Sequence, residues 1–112
     1  MIRAAVTPAT FLLSAAAALG AENLASANYI LPGCAAVIEG KSLSTFAAGR
    51  CIGIVEGLEV GNFTNYCPST DVTIRQRLKV VKSYIETRPE QMNKAFVVLA
   101  VQAFEAAWPC RR

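Results

Sequence analysis

Apolar positions along the chain gather into one N-terminal block and four later stretches divided by turn-forming residues. The block, Phe11 to Leu19, is rich in alanine, carries no charge and follows a lone cation at Arg3, which is the layout of a signal peptide. A membrane span takes about 20 apolar residues, and no segment here goes that far without a charge, so no span is expected. Two small-residue cleavage sites compete: Ala18-Leu19-Gly20 beside the apolar run and Ala25-Ser26-Ala27 farther off. The first is preferred, giving a signal peptide over 1–20 and a single helical domain over 21–112.

In that domain the period of the pattern is helical. From Ser26 to Glu39, Pro32-Gly33 interrupts a short apolar stretch, which predicts a broken helix or a turn leading into a helix started by Pro32. Lys41 to Ser44 is a polar connector, and Ser44 or Thr45 is placed to cap a second helix over about 46–60. Cys51, Ile54, Val55 and Leu58 recur along it at helical spacing. Gly49, Gly53 and Gly57 mark one face, suited to close packing inside the domain or to a homodimer seam, and Gly61 stands where a C-terminal cap would sit. The third helix starts at a capping box, Thr73 with Gln76, and runs to about Thr87 with Ile74, Leu78, Val81 and Ile85 on one stripe. Arg75, Lys79 and Lys82 form a basic stripe, read as a solvated face or as a contact for an acidic partner, with Lys82 placed to pair with Glu86. Arg88-Pro89 ends that helix. After a link through Asn93, the last helix, about 94–108, is apolar nearly all round and is expected to be central.

The fold class is therefore all-α, a small bundle of about four helices, and its cysteines supply staples. Cys34, Cys51, Cys67 and Cys110 in a short exported chain read as two disulfides, with three pairings open. If the last two helices form an antiparallel hairpin, Cys67 and Cys110 fall at the same end. Cys34 and Cys51 flank the first connector at similar distances, so the preferred pairs are Cys34 with Cys51 and Cys67 with Cys110. Leu31-Pro32-Gly33-Cys34 looks superficially like a lipid-attachment box, but lipidation of Cys34 would leave an odd number of cysteines. With no histidine and no C-x-x-C pair, no metal is expected.

Net charge is +3, falling by one when Arg3 leaves, which is too little to argue for nucleic acid. Nucleophilic catalysis lacks both a histidine base and a free thiol, and there is no phosphate loop or dinucleotide fingerprint, so neither an enzyme nor a cofactor is expected. Glu56 and Glu59, one turn apart, read as a solvated helix pair rather than an acid–base dyad. The segment Asn62 to Asp71 is a loop of turn formers carrying Phe63 and Tyr66, either for recognition or tucked into the core. Asn62-Phe63-Thr64 also matches a glycosylation sequon, which matters only in a eukaryotic secretory pathway.

Several landmarks together resemble the Rap/Tai immunity proteins. They are Gly33-Cys34, then Gly49-Arg50-Cys51-Ile52-Gly53 with Gly57, Cys67-Pro68, Val72-Thr73, Val80 to Ile85, Arg88-Pro89-Glu90 and Ala107-Trp108-Pro109-Cys110. Members of that family are periplasmic helical proteins that neutralise peptidoglycan amidases delivered by type VI secretion systems. The resemblance implies a binding protein that occludes the active-site cleft of a cell-wall amidase effector, with a homodimer as one arrangement and no cofactor. Contacts would come from Asn62, Phe63, Thr64, Asn65 and Tyr66, and from Arg88, Gln91 and Met92 in the following link, as segments that protrude between helices. The competing class is a periplasmic stress protein or holdase chaperone, which would bind many clients rather than one enzyme.

Overall fold

The computed structural model describes residues 24–41, 46–61 and 65–111. The signal-peptide segment, Ser44 and Thr45, and the sequon Asn62-Phe63-Thr64 lie outside the described residues. Within them the chain is all-α: α1 (Ala27–Ile38), α2 (Phe46–Gly61), α3 (Ile74–Glu86) and α4 (Phe96–Ala107), with a 3₁₀ turn over Pro89–Gln91 between the last two. No helix among the described residues is long and apolar enough to cross a membrane.

One continuous helix stands where a broken one was expected. Ser26 caps α1 by accepting from the Tyr29 N–H, and Pro32 lies inside the helix. An interior proline costs about 3 kcal/mol through its missing N–H and its ring. Burial of Ile30, Leu31 and Cys34, together with the covalent tie from Cys34 to α2, offsets that penalty. At the far end Gly40 adopts φ 72°, and the Gly40 and Lys41 N–H groups donate to the Val37 and Ala36 carbonyls. That is a Schellman cap, which needs the left-handed conformation glycine takes without strain.

The first two helices approach closely, and a different glycine allows it. A Cβ on Gly33 would collide with the backbone of Ala47 and Ala48 at the start of α2, whereas around Gly49, Gly53 and Gly57 there is open space. The three-glycine face of α2 therefore points to solvent and does not pack within the domain.

At α3 the capping box is present in full, with the Gln76 N–H on Thr73 Oγ1 at 3.2 Å and the Thr73 N–H on Gln76 Oε1 at 2.7 Å. Leu78, Val81 and Ile85 are buried as the stripe requires, while Ile74 lies at the exposed first position. Helix α4 is not central. It buries Phe96, Leu99, Ala100, Ala103 and Phe104 but leaves Val97 and Val98 exposed, because only one side of it is covered by other helices.

Both disulfides form as the hairpin geometry requires. Cys34–Cys51 has its Cα atoms 5.4 Å apart and is wholly buried, and Cys67–Cys110 spans 4.9 Å at the surface. Cys34 thus sits in the core as half of a bridge and is not a lipid anchor. Around the second bridge the Cys67 N–H donates to the Trp108 carbonyl at 2.7 Å and Tyr66 pairs with Pro109, so the chain leaving α4 is sewn to the chain entering α3.

Candidate functional site

The two segments expected to carry recognition lie at opposite ends of α3. One precedes its N-terminus and the other follows its C-terminus. The thirteen residues of α3, about 20 Å of helix, lie between Thr73 and Thr87 and so between the two segments in the chain.

At the first end Asn65 is exposed, while Tyr66 is turned inward. The Tyr66 hydroxyl donates to the Leu58 carbonyl at 2.5 Å, which satisfies one of the open carbonyls at the end of α2, and its ring lies 5.3 Å from that of Phe104. Tyr66 anchors the loop to the core. Near the same end, the Ser69 hydroxyl at 2.7 Å, and then the backbone N–H of Asp71, hold the Asp71 carboxyl below the usual carboxylate range. Glu39 is likewise lowered, by the hydrogen bond and then the charge of Lys41. Both residues lie at the surface.

The second segment is less free than a protruding loop. Its Met92 and Lys94 carbonyls accept from the Asn28 and Ala27 N–H groups at 2.8 and 2.9 Å, supplying partners to the open first turn of α1. In return the Phe96 N–H at the start of α4 donates to the Ala25 carbonyl at 2.8 Å. Met92 packs against the core and Gln91 is half-buried. The backbone of the link is thus structural. Arg88 is half-buried: its guanidinium lies 3.7 Å over the Tyr84 ring, with Nη1 donating to the Tyr84 carbonyl and to Thr87 Oγ1.

The basic stripe of α3 divides. Arg75 donates to the Ile38 carbonyl at 2.7 Å and Lys82 pairs with Glu86 at 2.7 Å, whereas Lys79 makes no hydrogen bond or ion pair among the described residues. Sequence reading passed over Arg77. It is 5% exposed, 3.6 Å from Glu59 and 5.9 Å over the Trp108 ring, and its Nε and Nη1 find no protein acceptor among the described residues. Its place beside Leu78, on the flank of the apolar stripe, was the available signal. Among the described residues no cluster of histidine, cysteine or acid could hold a metal ion.

Residues 26–110 match the family model described as Rap1a immunity proteins, a span that takes in all four helices and both disulfides. No curated protein and no solved structure matches the chain.

Proposed function

The chain belongs to the Rap1a immunity proteins, and on that premise we propose that it neutralises a peptidoglycan amidase effector of a type VI secretion system by occluding its active site. Immunity proteins act by binding a cognate effector rather than by catalysis. The family match along residues 26–110 carries this reading. Two disulfides add that the chain matures in an oxidising compartment, for which the bacterial periplasm is the natural assignment.

Contact residues would come from either end of α3: Asn62 to Asn65 with Tyr66 as their anchor, or Arg88 with Gln91 and Met92. A homodimer through the solvent-facing Gly49, Gly53 and Gly57 face belongs to the same proposal. The test is an amidase assay with any cell-wall amidase encoded near this chain's gene, with and without the oxidised protein. Stoichiometric loss of peptidoglycan cleavage is expected. Absence of binding, together with protection of many unfolded proteins, would replace this reading with the holdase.

Processing after Gly20 is part of the proposal, because cleavage after Ala27 would remove the Ala25 acceptor, the Ser26 cap and the buried Ala27 together. Intact mass of the exported protein should correspond to a chain beginning at Ala21. A start at Asn28 would refute this.

A further inference from the structure

Between α3 and α4 lies an open groove of about 460 Å³. Its floor is apolar and shallow, built on Ala103 and Ala106, with Ser83 and Tyr84 along one wall. Lys79 stands toward one end, and Arg88 folds back over Tyr84 toward the other. Lys79 and Tyr84, over which Arg88 lies, are five residues apart on α3, roughly 7–8 Å along its axis. No acidic residue lines this groove.

These two cations differ from their neighbours. Arg75 and Lys82 are engaged within the domain, but neither Lys79 nor Arg88 has a carboxylate partner among the described residues. Tyr84 and Thr87 hold the Arg88 guanidinium in place, so little rotamer freedom remains to be lost when an anion docks there. Small alanine side chains leave room for an apolar side chain to settle between the two charges. The groove also begins at Arg88, in one of the two segments proposed above for effector contact.

We infer that the α3–α4 groove is a docking channel for an acidic segment of the effector, with an apolar side chain on the alanine floor and carboxylates on Lys79 and Arg88. The inference rests on the effector-binding reading above. It gives the partner a chemistry, and it makes the flank of α3, rather than a loop tip alone, part of the interface.

Calorimetric titration of the amidase that the wild type inhibits in the assay above tests this, using the oxidised wild type, K79E, R88E and A106L. Lys79 has no internal partner to lose and Ala106 is exposed, so both of those variants should fold, as thermal melts will show. Each variant should bind about tenfold more weakly, and K79E should also show a shallower salt dependence. Wild-type affinity in K79E and A106L would overturn the groove while leaving effector binding intact. Failure of the wild type to bind the amidase would remove both proposals, and is a different result.

Discussion

Gly33→Ala will destabilise the domain by about 3 kcal/mol, at the upper end of what overpacking usually costs, while the same substitution at Gly53 will stabilise it by about 1 kcal/mol. The opposite signs follow from what faces each residue. A methyl at position 33 meets the Ala47 and Ala48 backbone, which cannot turn aside as a flexible side chain would. Helices α1 and α2 would have to separate, yet the Cys34–Cys51 bridge one residue away holds them together. At Gly53 the added methyl meets nothing and only restricts the unfolded chain. Chemical denaturation of both oxidised variants checks the pair. Equal and small effects would mean that α1 and α2 are not in backbone contact.

Removing the buried bridge as C34A/C51A is expected to cost about 3 kcal/mol from loop closure over its 17-residue separation, with a further loss from the cavity left in the core. The surface bridge closes a 43-residue loop, so C67A/C110A should lose about 4 kcal/mol by the same reasoning and no core packing. Their responses to reductant will separate more sharply than their stabilities. Cys67 and Cys110 are exposed and Cys34 and Cys51 are fully buried, so mild thiol should open the surface bridge first. Thiol trapping followed by peptide mapping reads the order. Simultaneous opening would mean that the core bridge is reached by local unfolding at little cost.

Local chemistry was legible in the sequence. The Thr73–Gln76 capping box involves four consecutive residues and nothing else, so it reads directly, as does the end of α3 at Arg88-Pro89. The disulfide pairing followed from chain order and helix lengths. What could not be read was what lies opposite each residue. Pro32 signals a break, but a cross-link and a buried face outweigh that signal. Gly49, Gly53 and Gly57 read as a face for close packing and Gly33 as part of a break, yet of these four it is Gly33 that has a helix against it. Helix α4 is apolar on every side, which says that it could be surrounded and not that it is.

The same limit governs the candidate site. Loop composition marked Asn62 to Tyr66 and the family resemblance marked Arg88, Gln91 and Met92, but neither showed that Tyr66 turns inward or that the second segment is bonded to α1. The i,i+4 spacing already paired Lys82 with Glu86, but Lys79 looked equivalent to Arg75 until the bond from Arg75 to the Ile38 carbonyl set the two apart.

If the chain is delivered N-terminus first, as the proposed export implies, those bonds between residues 25–28 and 92–96 would set an order of events. Cys34 and Cys51 come from adjoining stretches, so they can be oxidised while the C-terminal third is still undelivered. The opening turn of α1 has to wait, because its carbonyl partners at Met92 and Lys94 arrive almost last, and Ala25 waits for Phe96. The earliest segment to emerge is therefore the last to be locked, and the long-range closure, rather than helix growth, is the step expected to pace folding. A partner arriving before that closure would meet α1 and α2 already linked, but with neither the link that presents Arg88 nor the wall that α4 lends to the groove.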